Sequence, residues 1–233
     1  MSLVLAIESS AVTASVALAE DGKIIGSEFL NNGLTHSETL LPMVQRVMGE
    51  RAFSALDAIA VTKGPGSFTG VRIGVAAVKG LAFPNGTPCI GVSTLKAIAC
   101  NFCDEETETV VCAVMDARRM QFYNALFRVK GRSVERLTED RAIALEQLRE
   151  ELKTFDSVVI AGDGAALCSE NIGLDNCALA QEEKRFQRAE GVIIAAADEA
   201  LVAPAQLIPT YLRMSQAERE LKLKMKTAKG EKQ

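Results

Sequence analysis

Strand-length runs rich in hydrophobic residues occupy 3–8, 13–19 and 23–30, which predicts three consecutive strands. Glu20-Asp21-Gly22 separates the second from the third with a turn in which glycine supplies positive φ. A helical period follows. Thr35-His36-Ser37-Glu38 has capping-box spacing, and Leu40, Leu41, Val44, Val47 and Met48 recur at helical intervals, predicting a helix over 37–48. Pro42 lies inside that stretch and removes a backbone hydrogen bond, so the helix either kinks there or starts later. A strand at 57–62, a glycine-rich loop at 64–70 and a helix at 71–83 stopped by Pro84-Asn85-Gly86 come next. A strand at 88–92 and a helix capped by Ser93 or Thr94, running to 102, complete the order βββαβαβα.

Beyond the acidic hinge 104–106 the same order restarts. Strands are expected at 110–115, 122–129 and 133–138, and a helix at 145–153. A strand at 157–161 ends in Gly162-Asp163-Gly164; a short helix at 164–171, a strand at 176–179 and a helix at 189–202 follow. The halves match in detail: Val4-Leu5-Ala6-Ile7-Glu8 parallels Cys112-Ala113-Val114-Met115-Asp116, each an apolar strand ending in a carboxylate. Val61-Thr62-Lys63-Gly64-Pro65-Gly66 and Ile160-Ala161-Gly162-Asp163-Gly164 are both strand-to-glycine-loop junctions. The expected class is therefore α/β, a duplicated actin-like (ASKHA, RNase H-like) fold in two subdomains, 1–106 and 107–213, with a charged tail at 214–233. In that superfamily a nucleotide lies between the halves, but the fold by itself assigns no function.

Composition narrows the chemistry. With 233 residues, 48% hydrophobic and 24% charged, the chain is that of a folded soluble protein. Its net charge of -4 is the opposite of the basic footprint of a stand-alone nucleic-acid binder, so work on nucleic acid would need a partner. Residues 1–8 lack a basic segment before the first carboxylate, and no uncharged run approaches membrane-spanning length, which predicts neither signal peptide nor membrane anchor. Six cysteines sitting mostly in apolar segments suit a reducing cytoplasm. His36 is the sole histidine, which rules out multi-histidine metal sites and HExxH; no metal site is expected.

Several segments invite chemistry. The loop 63–70, between a strand and a helix, reads either as a phosphate cradle through Gly64, Gly66, Ser67 and Gly70 or as a tight crossing that needs glycine; the second is favoured. It matches neither a Walker A loop nor GxGxxG, and Pro65 removes Ser67 from any GxSxG elbow. In the second helix Gly70 and Gly74, then Ala76 and Gly80, are spaced for close helix approach, either to the chain's own sheet or to a partner. The first helix carries an apolar set wider than one core-facing stripe. Glu8 and Asp116 read as turn acceptors before cleft carboxylates, His36 as a cap or surface residue, and Cys100-Asn101-Phe102-Cys103 as an isolated CxxC. Arg118 and Arg119 form a small basic spot on a hairpin turn, solvated or in contact with phosphate.

The run Gly64-Pro65-Gly66-Ser67-Phe68-Thr69-Gly70-Val71-Arg72-Ile73-Gly74 resembles the bacterial TsaB (YeaZ) family. So do Thr35-His36-Ser37-Glu38-Thr39-Leu40-Leu41-Pro42, Ser93-Thr94-Leu95, Met115-Asp116-Ala117-Arg118-Arg119 and Tyr211-Leu212-Arg213. The resemblance implies a catalytically silent subunit, with no catalytic residues of its own, in the synthesis of N6-threonylcarbamoyladenosine on tRNA. It implies pairing with the transferase paralogue TsaD, support for binding of the ATPase TsaE, contact with tRNA only through the complex, and a homodimer when alone. The TsaD-facing surface would fall on the first two helices, at Thr35, His36, Leu40, Leu41, Met43, Val44, Gly70, Arg72, Gly74, Val75 and Val78. No cofactor is expected on the isolated chain, with ATP or ADP confined to the complex. An arginine at Leu41 or Val75 is expected to break the pairing and leave the fold intact. The rivals are an ATP-using actin-fold kinase or ATPase, with phosphates held at 64–70 and 162–164, and a metallopeptidase of the glycoprotease type.

Overall fold

The computed structural model describes residues 2–33, 35–104 and 106–213, so the expected tail at 214–233 lies outside the described residues. The first unit runs β1 (Leu3–Glu8), β2 (Ala14–Glu20), β3 (Lys23–Leu30), α1 (His36–Met48), β4 (Ala58–Thr62), α2 (Phe68–Ala82), β5 (Cys89–Val92) and α3 (Thr94–Cys100). The second runs β6 (Thr109–Asp116), β7 (Gln121–Lys130), β8 (Ser133–Arg136), β9 (Arg141–Ala144), α4 (Leu145–Leu152), β10 (Val158–Ala161), α5 (Ala165–Ile172), β11 (Cys177–Leu179), α6 (Glu182–Arg185) and α7 (Ala189–Ala196), and β12 (Leu201–Val202) follows. The two sheets have the same plan. Strand order β3-β2-β1-β4-β5 in the first matches β8-β7-β6-β10-β11 in the second, with the first three strands antiparallel and the last two joined in parallel. This is the duplicated actin-like α/β fold.

Side-chain size alternates along the strands and decides what covers each face. On β1, β2 and β4 the outward set Leu5, Ile7, Val16, Leu18, Ile59 and Val61 packs under α1 and α2. The opposite face of those strands is nearly all alanine: Ala6, Ala17, Ala19, Ala58 and Ala60. Against it lies α7, from the far end of the chain, while α3 packs on β6, β7 and β8 of the other sheet. The two helices thus sit as a pair between the sheets, each on the sheet of the other unit, and a single core spans both sheets through them. A third core, around Phe122, Leu126, Leu148 and Ile160, lies under α4 and α5 on the outer face of the second sheet.

Four expectations are corrected by packing. The last helix ends at Ala196 instead of 202, because Asp198 and Glu199 turn back to Lys96 at 3.8 and 3.0 Å and Leu201–Val202 pairs antiparallel with the edge of β5. The segment 107–213, expected as the second subdomain, therefore contributes α7 and β12 to the first sheet. Helix α2 starts at Phe68, three residues before the expected 71, with Ser67 Oγ accepting the Gly70 amide at 3.3 Å, so Gly70 belongs to the helix and not to the loop. Helix α1 starts at His36 without a side-chain cap and continues through Pro42, which faces solvent together with Glu38, whose carbonyl would otherwise have bonded it. β9 and α6 carry too few residues for their periodicity to be read from sequence.

Gly191 sets how closely the central helix pair approaches, since a Cβ there would overlap the Ala97 carbonyl oxygen and the Asn101 side chain of the facing helix segment. Replacing Gly191 by alanine should lower unfolding free energy by about 1–3 kcal/mol, the cost of overpacking a filled core, read by urea denaturation. A neutral outcome would show that α3 and α7 are not in tight contact.

Candidate functional site

Two places gather the residues singled out by sequence. The first is a cleft of about 530 Å³ between the units, lined by Ser10, Ala11, Gly66, Ser67, Met115, Asp116, Arg118, Tyr123, Asp163, Tyr211 and Arg213 among others. It opens where β1, β4, β6 and β10 end, the position at which parallel strands deliver their carboxyl ends to a ligand in open α/β sheets. The second is the outer face of α1 and α2, which pack beside each other on the first sheet.

Several polar groups in and beneath the cleft are engaged within the protein. Glu8 is fully buried, and its Oε1 accepts both the Ser10 amide and the Ser10 hydroxyl at 2.6 Å. Burial raises its carboxyl above the ordinary range, opposed by the hydroxyls of Ser10 and Thr62. Asp116 accepts the Arg118 amide at 2.7 Å, the turn-acceptor role expected for it. The glycines serve close approach: a Cβ at Gly66 would overlap the Ser10 carbonyl oxygen, and one at Gly64 the Thr210 carbonyl oxygen. Of the loop amides, Ser67 N–H is given to Ser10 O at 2.7 Å and Gly70 N–H to Ser67 Oγ at 3.3 Å. This is the tight-crossing geometry, with those two donors already committed.

Asp163 is the group sequence reasoning passed over. It sits in the Gly162-Asp163-Gly164 junction, facing the cleft, and accepts the Gln187 side-chain amide at 2.8 Å. Burial pushes its carboxyl up to about 6, against the hydrogen bond from Gln187, and the nearby Asp116 and Glu8 push the same way. Gln187 is wholly buried in an irregular segment between α6 and α7, where no periodic pattern marks it.

On α1 and α2 the expected partner-facing residues divide into two groups. Leu40, Met43, Val44, Val75 and Val78 are all buried in the chain's own core, packed with the first sheet's outward set. Val75 is 4% exposed, so an arginine there would attack the fold, unlike Leu41 at 48%. Thr35 is exposed at the start of α1, and His36 is half-buried, its Nε2 donating to Ala11 O at 2.7 Å. The small residues split the same way. A Cβ at Gly70 or Gly74 would strike Ser9, so both face inward, whereas Ala76 is exposed and none of the described residues lies within 4 Å of a Cβ at Gly80. Arg72 is exposed, its guanidinium 3.8 Å over the Phe68 ring and its Nε donating to Tyr211 Oη at 2.9 Å. Cys100 and Cys103 both lie in the central core, and among the described residues no cluster of three or more ligating side chains joins them or forms elsewhere.

Comparison with known proteins is consistent along the chain. A family model described as TsaD, tRNA N6-adenosine threonylcarbamoyltransferase, matches residues 32–166. The chain is 30% identical over 222 residues to the tRNA threonylcarbamoyladenosine biosynthesis protein TsaB of Bacillus subtilis (strain 168), covering 92% of this chain and 96% of that protein. It is 39% identical over 127 residues to the TsaB of Escherichia coli (strain K12), a match that spans 54% of each chain. The solved structure of YeaZ from Pseudomonas aeruginosa superposes with a TM-score of 0.78 at 30% identity, over 91% of this chain and all of that one. Among the described residues no helix is long and apolar enough to cross a membrane.

Asp163 gives the fold a pH dependence of definite sign. An acid whose pKa is raised by folding binds its proton more tightly in the folded state, so its stabilising contribution is complete below 3.8 and is lost as pH rises through about 6. Asp163→Asn keeps an acceptor for Gln187 and removes the ionisation. The variant should be more stable than the parent at pH 7, with the difference shrinking toward pH ~4, in urea titrations across that range. Equal pH profiles for the two proteins would count against the burial argument.

Proposed function

The chain belongs to the TsaB (YeaZ) family, and from that premise we propose that it serves N6-threonylcarbamoyladenosine synthesis on tRNA as an assembly subunit without catalysis of its own. On this reading it pairs through α1 and α2 with a TsaD-type transferase, supports docking of a TsaE-type ATPase, and meets tRNA only within the complex. The compartment is the cytoplasm, nucleotide belongs to the complex and not to the isolated chain, and the isolated chain closes the same face by pairing with a second copy.

One observation carries the proposal. Glycine within an exposed helix costs about 1 kcal/mol relative to alanine, and among the described residues nothing requires Gly80 to be glycine. Gly70 and Gly74, by contrast, are demanded by Ser9. A helix pair that keeps Ala76 and Gly80 of α2 and the half-exposed Leu41 of α1 on its outer side is shaped for close approach by another helix. The charge balance supports a protein partner over direct RNA contact, and His36, the sole histidine, already gives its Nε2 to a backbone carbonyl.

The cleft favours a second reading, an ATP-using actin-fold enzyme, because its volume and its place at the strand ends suit a nucleotide. Calorimetry on the isolated chain and on its mixture with a TsaD-type protein separates the two. Association without ATP hydrolysis by the isolated chain supports the assembly role; hydrolysis without association replaces it with the enzyme.

Gly80→Ala should stabilise the isolated chain by about 0.5–1 kcal/mol while weakening association, because the added methyl enters the contact. Leu41→Arg should leave stability within about 0.5 kcal/mol and cost on the order of 3 kcal/mol of association. The first is read by urea denaturation and the second by titration calorimetry; unaltered affinity in both variants would move the interface elsewhere.

A further inference from the structure

After β12 the chain crosses the cleft. Leu207 is buried in the outer core of the first sheet, and its carbonyl and that of Ala205 accept Lys79 Nζ of α2 at 3.2 and 3.4 Å. Thr210 then donates its amide to Lys63 O at 2.6 Å, against the glycine at position 64 that leaves room for it. The Tyr211 ring stacks on Phe68 with centroids 4.5 Å apart, and its hydroxyl accepts from Arg72. Two residues on, Arg213 reaches the other unit, donating to Ala117 O at 2.8 Å and to Gln121 Oε1 at 2.5 Å.

Its target is the most unusual turn in the described chain. Between β6 and β7, Arg118, Arg119 and Met120 have φ of 68, 58 and 53°, three successive non-glycine residues in the left-handed region. Each such residue is disfavoured by about 1 kcal/mol or more, so the turn persists because its surroundings hold it. Asp116 grips it from one side through the Arg118 amide, Leu145 N–H binds Met120 O, and Arg213 grips both ends from across the cleft.

We propose that residues 207–213 are a clasp that fixes the opening of the cleft and couples it to α2. One end is fastened to the first turn of α2 through the Phe68–Tyr211–Arg72 stack, the other to the left-handed turn of the second unit through Arg213. Because both fastenings belong to one short segment, loosening either one loosens the other. The outer face of α2 and the width of the cleft then change together, so that an event in the cleft is felt on that face. This goes beyond the pairing proposed above and does not depend on it, since it concerns the isolated chain.

The test is hydrogen–deuterium exchange, read by mass spectrometry on the full chain carrying Arg213→Ala or Tyr211→Phe. With Arg213→Ala, peptides covering 117–121 and 63–72 should both exchange about tenfold faster, as expected for loss of hydrogen bonds from a charged group, while β1 and β6 keep their protection. With Tyr211→Phe, which retains the ring stack and loses the hydroxyl, 68–72 should exchange faster and 117–121 should follow to a smaller extent. An Arg213→Ala effect confined to 117–121 would overturn the coupling. So would unchanged exchange in both variants, or an equal loss of protection throughout β1 and β6, which would make the segment a general stabiliser. Should Arg213→Ala fail to fold, Tyr211→Phe alone decides: spread of its effect to 117–121 supports the clasp, and its absence overturns it.

Discussion

Everything in this fold depends on two helices being thin enough to share the space between two sheets. Strands joined in parallel must be covered on both faces, yet the inner faces here have only α3 and α7 to cover them. Alanines on the first sheet (Ala6, Ala17, Ala19, Ala58, Ala60) lie under α7, which brings Ala189 and Ala195 of its own, and Gly191 lets the backbones of α7 and α3 nearly touch. Larger side chains on either surface would separate the sheets and remove the cleft at their ends. On the first sheet the large residues lie on the outer face, where Leu5, Ile7 and Ile59 pack under α1 and α2, whereas the second sheet turns Val111, Met115, Phe127 and Val129 inward as well as Phe122 and Leu126 outward.

The same economy of space engages backbone amides of the glycine-rich junctions within the chain. A cradle needs amides that point at nothing. At the first junction the backbone is pressed against Ser9, Ser10 and Thr210, and amides at Ser67 and Gly70 are taken up in the process. At the second, a Cβ on Gly162 would enter the Val114 carbonyl, so that loop too is folded down on its own strand. What the cleft retains is a buried acid, Asp163, whose carboxyl burial pushes up to about 6, and a rim of arginines. The small residues free of any internal duty lie on α2's outer side, and the case for a partner rests there.

Much of this was legible because runs of apolar residues mark each element: β1, β4 and α1 could be read directly as elements, and so could the parallel between Glu8 and Asp116 at matched strand ends. Spacing could not say which way a small residue faces. Gly70, Gly74, Ala76 and Gly80 look alike in sequence, and only the position of Ser9 separates them. Nor could it find Gln187 or β12, whose roles are fixed by neighbours more than a hundred residues away in the case of β12 and by an irregular crossing segment in the case of Gln187. The helix expected to reach 202 failed for the same reason, since Lys96 and the edge of β5 are invisible to a local pattern.

The exchange of α3 and α7 between units also dictates an order of events during synthesis. When the first hundred residues have left the ribosome, five strands of the first sheet are complete, but their alanine face has no cover: α3 is made for a sheet that does not yet exist. The cover arrives only with α7, after the strands of the second sheet have been made. The nascent first half must therefore wait, half-dressed, for the second, and the chain matures as one body although its sequence reads as two.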